Sequence, residues 1–330
     1  MLICTQEDSR LRARVLDRWA LRYDAGADPT LDRPGHVRAA SGLAWFRGQL
    51  AVVQDDASFL ALIDPRARKV GSWPLPAGPG GVRLFDDGRG NKLDKLDLES
   101  CVSGSWEGED VLLAFGSGSR PERERVAVIR GRGPHALGVE LVDAGELYAA
   151  LRADRGFSGS ELNLEGAALL QGGVLRLAQR GNGTPRDGLD PRDATCDLSW
   201  DDLLAYLGGR SGPPTHGQVV AYELGELDGV GLTFTDLCAG PGGKTLYLAG
   251  AEDSPDAVRD GPVTGAAIGV LTERGGRWTP LRDREGAVLT DKAEGLVLDP
   301  SRQGRALVVV DPDRAEAEAE LLEVALEGPW

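Results

Sequence analysis

The feature that most constrains the fold is a short pattern that recurs along the chain. An oxygen-bearing side chain, often followed by glycine, stands at the head of an apolar run. The five examples are Ser41 in SGLAWF, Glu99 in LESCVS, Glu165 in LEGAALL, Asp236 in TDLCAG and Glu294 in AEGLVL. Successive polar residues are 58, 66, 71 and 58 residues apart. Self-similarity at such a period is typical of repeat architectures, so the chain predicts five similar units.

Each unit is predicted to be a short antiparallel sheet. In the first unit, Pro, Gly and Asp separate the segments SGLAWFRG, QLAVVQDD, SFLALIDP and KVGSWPLP, as turns require. The fifth unit has only three strand-like segments, and RVLDRWALRY at 14–23 supplies a fourth. Strands from both ends of a chain can remove the open edges of a propeller. We therefore predict an all-β, five-bladed β-propeller in one domain over residues 1–330, closed by an N-terminal strand, with blades starting near 41, 97, 163, 234 and 293.

Two short helical insertions interrupt the repeat, at 143–154 and at 197–209. The second lies within the third unit and accounts for the spacing of 71 residues without a sixth blade. The third unit is then predicted to continue with GQVVAYEL at 217–224 as its third strand and VGLTF at 230–234 as its fourth.

In a propeller, equal positions of the first strands converge at one mouth of the central channel. The five strand-head residues would therefore form a ring. Four carboxylates at close range repel one another, and a bound cation would relieve this repulsion. Because every donor is an oxygen, the ring favours a hard ion, calcium first and then magnesium or manganese. The alternative is that these side chains only cap backbone groups of the next blade.

Basic residues in the loops beside the strand heads predict a site for a small anionic molecule, because basic groups next to a hard cation suit a phosphate or carboxylate. They are Lys92, Lys95, Arg120, Arg180 and Lys292. Asp55 and Asp56 are candidates for a catalytic base, for further metal ligands or for turn formers.

The order Ser41, Glu99, Glu165, Asp236, Glu294 resembles the calcium-dependent apyrases, or calcium-activated nucleotidases. These five-bladed propellers carry Ser and Glu at the strand heads around a central calcium, and Asp236 stands where they have a second Ser. The repeats also resemble the esterase-like phytase domains, which have similar EG strand heads, and the gluconolactonase propellers. A further stretch is similar to one in bacterial propeller proteins of unassigned function: Ala251-Glu252, Asp256, Asp260-Gly261 and Gly265.

The resemblance implies a calcium-binding propeller that hydrolyses a small phosphorylated compound. Two alternatives stay open. One is a non-catalytic binding propeller with a structural metal, and the other is a sugar-lactone hydrolase.

The net charge of the chain limits the kinds of molecule that it is expected to bind. The net charge is −15 and the sequence pI is about 4.8, which argues against nucleic acid or an anionic membrane. The sequence shows neither a signal-peptide pattern nor an apolar window of about 18 residues. We therefore expect a cytoplasmic protein.

Overall fold

The computed structural model describes residues 1–131, 133, 136–253, 261–272 and 275–330. The chain begins with strands β1 (Leu2–Glu7) and β2 (Arg12–Ala20). Within the described residues, β2 and all but one of the strands that follow form five antiparallel sheets of four strands each.

Sheet 1 contains β3 (Ala40–Phe46), β4 (Gln49–Gln54), β5 (Phe59–Asp64) and β6 (Lys69–Pro74). Sheet 2 contains β7 (Leu98–Trp106), β8 (Glu109–Gly116), β9 (Arg125–Gly131) and β10 (Leu137–Asp143). Sheet 3 contains β11 (Leu164–Leu170), β12 (Val174–Gln179), β13 (Asp193–Ser199) and β14 (Val220–Glu223). The short strand β15 (Glu226–Leu227) pairs with the first strand of sheet 4, which contains β16 (Val230–Ala239), β17 (Thr245–Glu252), β18 (Val263–Thr272) and β19 (Gly275–Arg282). Sheet 5 contains β20 (Lys292–Leu298), β21 (Arg305–Asp311), β22 (Glu320–Glu327) and β2.

Tight turns fix the register of the first two strands in sheets 1 and 2. Arg47 and Gly48 both have positive φ, as do Glu107 and Gly108. Two consecutive residues of this kind form the turn whose twist matches that of a β-hairpin.

A hydrophobic core lies between each sheet and the next. Alternate side chains of a strand point to opposite faces, so Leu43 packs with residues of sheet 5 while Ala44 and Phe46 pack with residues of sheet 2. Three further cores join sheets 2 and 3, sheets 3 and 4, and sheets 4 and 5. The sheets therefore succeed one another around an axis, and the protein is a β-propeller, as predicted.

A central channel is lined by three consecutive residues from the first strand of every sheet. They are Leu43–Trp45, Cys101–Ser103, Ala167–Leu169, Leu237–Ala239 and Leu296–Leu298. These segments follow the predicted strand heads, so the strand heads surround one mouth of the channel.

The two N-terminal strands join neighbouring sheets. Strand β2 pairs antiparallel with β22, as in the register Arg18 to Leu322, and its first residues also run parallel to β19. Strand β1 runs parallel to both β14 and β19, the last strands of sheets 3 and 4.

Three helices interrupt the described sheets. Helices α1 (Gly145–Ala153) and α2 (Arg155–Ser158) precede β11, and α3 (Trp200–Leu207) separates β13 from β14. The predicted order of strands in the third unit is wrong. Its third strand is β13, directly before α3, whereas residues 220–223 form the fourth strand and residues 230–234 belong to sheet 4. The sequence hid β13 because DATCDLS contains four polar side chains and runs directly into the helix.

Candidate metal centre at the channel mouth

Every first strand has a β-bulge, which lies near the start of the strand in sheets 1, 2, 3 and 5 and in the middle of β16 in sheet 4. The pairing with the second strand slips by one residue at Ser41, Glu99, Glu165, Thr235 and Glu294. A bulge leaves one residue out of the ladder and re-aims its side chain. These five bulge residues form what we call the bulge ring.

The residue after the bulge approaches the neighbouring first strand closely. A Cβ added to Gly42 would lie 2.9 Å from the backbone nitrogen of Cys101, and one added to Gly166 would lie 2.9 Å from that of Leu237. Space therefore requires glycine here, because only a residue without a Cβ lets the neighbouring backbones meet.

Sheet 4 departs from this arrangement. The bulge residue is Thr235, so Asp236 occupies the position that is glycine in sheets 1, 3 and 5. Both carboxylate oxygens of Asp236 accept backbone N–H groups at 2.7 Å, from Leu237 and from Leu296 of sheet 5. The structure thus gives Asp236 the capping role that was the alternative to metal ligation, and it places Thr235 in the ring, where Oγ1 donates to the Ala293 carbonyl at 2.7 Å.

Glu165 lies in a buried ion-pair network with Arg180. The nearest guanidinium nitrogen is 3.5 Å from Oε1 of Glu165, and another is 2.8 Å from Glu252. Asn163 donates to Glu165 at 2.8 Å. Burial, partly offset by Arg180, raises the pKa of Glu165 to about 7. Arg180 therefore neutralises part of the ring instead of presenting a free cation.

Glu294 carries a buried oxygen that lacks a donor. Its side chain is 5% exposed, and Oε1 is 3.6 Å from the Lys292 ammonium. Among the described residues, none donates a hydrogen bond to Oε2. Burial raises the pKa of Glu294 to about 8. An orphaned carboxylate oxygen of this kind is costly without a proton or a cation.

Glu99 is half-buried and faces a second acidic group. Oxygens of Asp55, Asp97 and Glu99 lie within 4.8 Å of one another. Lys95 forms ion pairs with Asp55 and, at 2.6 Å, with Asp97, which also pairs with Arg123 at 2.8 Å. Burial and the neighbouring carboxylates raise the pKa of Glu99 well above its usual value.

The remaining candidates lie apart from this network or at its border. Ser41 is buried and donates to the Ala39 carbonyl at 3.2 Å. Lys92 is 40% exposed and pairs with Asp87, and Arg120 is exposed. Asp56 forms an ion pair with Arg38 and keeps a buried Oδ1 without a donor among the described residues. Asp256 and Asp260 lie outside the described residues.

Sequence reasoning missed several members of the site. Asp311 in sheet 5 is equivalent to Asp55 in sheet 1. In both sheets the residue before the bulge pairs with a residue of the second strand, and the aspartate is the next residue along the chain. An aspartate at the end of the second strand of a unit could therefore have been recognised in the sequence as a candidate site residue. Arg123, three residues from the predicted Arg120, has no comparable signal, because only the loop fold turns it towards Asp97.

Carboxyl groups outnumber basic groups at this mouth. Among the described residues, ten carboxyl groups form ion pairs with a shared basic group or affect one another electrostatically: Asp55, Asp56, Asp97, Glu99, Glu165, Asp193, Asp236, Glu252, Glu294 and Asp311. The described basic groups in contact with them are Arg38, Lys95, Arg123, Arg180 and Lys292. The residues present therefore fit an additional cation better than an additional anion.

Fold and site together define a β-propeller with an acidic channel mouth. The model of the family DUF6929, described as a family of unknown function, matches residues 36–326. The chain belongs to this family. A comparison with curated proteins gives no match.

Solved structures with a similar fold share little sequence with the chain. A hypothetical protein from Leishmania major is 13% identical with a TM-score of 0.47, covering 94% of this chain and 90% of its own. The calcium-binding protein regucalcin from Agrobacterium tumefaciens is 9% identical with a TM-score of 0.40, covering 100% and 97%. A gluconolactonase from Xanthomonas campestris is 12% identical with a TM-score of 0.37, covering 96% and 97%.

Among the described helices, none combines the length and the apolar character that a membrane crossing requires.

Proposed function

We propose that the five sheets are the blades of a single-domain propeller whose mouth binds one divalent cation and uses it to hydrolyse a small ester. Calcium is the first choice, with magnesium or manganese as alternatives. The observation that carries the proposal is the orphaned, buried Oε2 of Glu294 in a ring with Glu99 and Glu165. Oxygen donors and an excess of carboxylates suit a hard cation.

Glu99, Glu165 and Glu294 would hold the ion, with the hydroxyl groups of Ser41 and Thr235 completing the bulge ring. Such an ion supplies a Lewis acid for an ester carbonyl or phosphoryl oxygen and lowers the pKa of water. The backbone fixes the three glutamates because each stands on a bulge at the start of a buried strand. Their positions therefore do not depend on loop order.

Asp56 is the better of the two predicted bases. Asp55 is held by the Lys95 ammonium, whereas Asp56 keeps one oxygen free of donors among the described residues. Burial raises the pKa of Asp56 to about 7, although Arg38 opposes this effect. A carboxyl group with such a pKa can accept a proton from water near neutral pH. Arg38 would hold the carboxylate in place.

The charge balance favours a neutral ester such as a sugar lactone over a phosphorylated compound. Lys95, Arg180 and Lys292 were predicted to bind an anion, but each is in contact with at least one carboxylate. A phosphate ester would have to compete with these internal partners. Hydrolysis of a small anionic phosphate ester is the second candidate, and a cytoplasmic location remains a prediction.

The test combines calcium binding with a substrate panel. Calcium at one hundred times its dissociation constant should stabilise the protein by about 2.7 kcal/mol. Glu294→Gln should abolish most of the stabilisation, whereas Glu109→Gln, an exposed change on β8, should leave it intact. Lactones and phosphate esters are then assayed with calcium and with chelator. Stabilisation without turnover would favour the non-catalytic propeller, and a metal-free, calcium-insensitive protein would refute the cation site.

A further inference from the structure

We propose that Lys95 is a tethered occupant of the cation site, and that its ammonium competes with a divalent ion for Asp55 and Asp97. This inference rests on the proposed function and adds how binding of the ion is regulated, because Asp55 and Asp97 lie beside Glu99, one of the three proposed ligands. In the protein without a bound ion, the Lys95 ammonium supplies positive charge to these carboxylates.

The contacts of Lys95 carry the proposal. Its ammonium is ion-paired with Asp55 and lies 2.6 Å from Asp97, and the residue is 7% exposed. The oxygens of these two aspartates and of Glu99 lie within 4.8 Å of one another. Calcium–oxygen distances are about 2.3–2.6 Å, so oxygens on one ion are at most about 5 Å apart. The ammonium therefore lies where these three carboxylates could share a metal ion.

The segment that carries Lys95 is held by these ion pairs and by hydrogen bonds of Asn91 to Leu84 and Asp86. Lys95 directly follows the 3₁₀ turn Lys92–Asp94, in which Leu93 is 57% exposed. Since Leu93 is not buried, it does not anchor the turn. If the ammonium leaves, Asp97 keeps its ion pair with Arg123, whereas Asp55 becomes available as a ligand. A divalent ion carries two positive charges where the ammonium carries one, so the exchange also reduces the net negative charge at the mouth.

The first experiment is calcium titration calorimetry on the full-length chain with Lys95→Met and Lys92→Met. Lys92 begins the turn that Lys95 follows, but the ion pair of Lys92 among the described residues is with the exposed Asp87. Lys95→Met should bind calcium at least tenfold more tightly than the parent protein, and its melting temperature in chelator should fall. Lys92→Met should match the parent in both measurements.

The outcomes separate this inference from the proposed function. If the parent binds calcium and Lys95→Met binds no more tightly, competition by Lys95 is refuted while the cation site stands. If only Lys95→Met binds calcium, competition is supported and a divalent ion resident in the parent is refuted. Absence of binding in both refutes both.

A labelling experiment on the parent protein keeps the inference testable if Lys95→Met does not fold. Acetic anhydride modifies accessible amines, and mass spectrometry reports each lysine. Saturating calcium should increase acetylation of Lys95 at least severalfold and leave that of Lys92 unchanged. Equal acetylation of Lys95 with and without calcium would overturn the proposal.

Discussion

Asp236 and Leu296 are joined across two sheets by a 2.7 Å hydrogen bond from the Leu296 N–H to the Asp236 carboxylate. The second oxygen of Asp236 accepts the N–H of Leu237, also at 2.7 Å. The carboxylate thus satisfies two backbone donors beside the channel, where burial raises its pKa well above the usual value. Sheet 4 therefore contacts sheet 5 through a polar group, at the position where sheets 1, 3 and 5 contact their neighbours through glycine.

Asp236→Ala should destabilise the protein by about 2–5 kcal/mol, because two buried N–H groups lose their acceptor. Chemical denaturation in chelator measures the loss. The stabilisation by calcium should persist, since both oxygens of Asp236 are engaged by the backbone. Loss of the calcium effect with unchanged stability in chelator would instead identify Asp236 as a metal ligand.

Gly166→Ala should cost about 1–3 kcal/mol, because the new Cβ would lie 2.9 Å from the Leu237 nitrogen and backbone cannot move aside cheaply. Gly231→Ala, also in a first strand, is the matched control because its Cβ would meet nothing within 4 Å. The denaturant concentrations at which the two variants are half unfolded measure the difference in their stability. Equal midpoints would show that sheets 3 and 4 can separate slightly at no cost.

Asp193 should make stability fall as the pH rises. Burial raises its pKa to about 7, although the N–H groups of Phe234 and Gly181 oppose this effect. Between the unfolded pKa near 4 and the folded pKa near 7, the unfolded chain releases the proton and the folded chain keeps it. The free energy of unfolding therefore decreases through this range and then levels off.

Asp193→Asn keeps an oxygen acceptor and removes the charge. In chelator it should be more stable than the parent at pH 8, on the order of a few kcal/mol, and close to the parent at pH 4.5. Thermal melts of both proteins from pH 4.5 to 8.5 test this. A parallel pH dependence in the two proteins would contradict the assignment.

Deletion of residues 1–24 should yield insoluble protein, because it exposes the whole edge of β22 that β2 covers. Deletion of residues 1–7 removes only β1, which contacts β14 and β19 through three residues each, and should give a soluble but less stable protein. Size-exclusion chromatography and melting curves compare the two. A 1–24 deletion that melts like the parent would refute the role of β2.

The sequence predicts four of the five bulge residues. Ser41, Glu99, Glu165 and Glu294 all stand on bulges. At Thr235-Asp236 two polar residues are adjacent, and the pattern cannot tell which one leaves the ladder. The choice depends on what the neighbouring strand offers, here the N–H of Leu296, which donates to Asp236.

The contacts of charged loop residues are harder to predict, because the sequence does not reveal which way a loop side chain points. Lys92 and Lys95 lie three residues apart, yet one is solvated and the other is buried between two aspartates. The difference arises from the 3₁₀ turn between them and from Asp97, which directly precedes β7. Neither feature leaves a periodic pattern in the sequence.

The pairing of β2 with β22 has a consequence for synthesis on the ribosome. The two strands are separated by about 300 residues, as in the register Arg18 to Leu322. At elongation rates of about 5–20 residues per second, β2 emerges roughly 15–60 s before its partner. Sheet 5 is therefore completed only once β22 has been synthesised, and until then the nascent chain carries an unpaired strand that chaperones have time to bind.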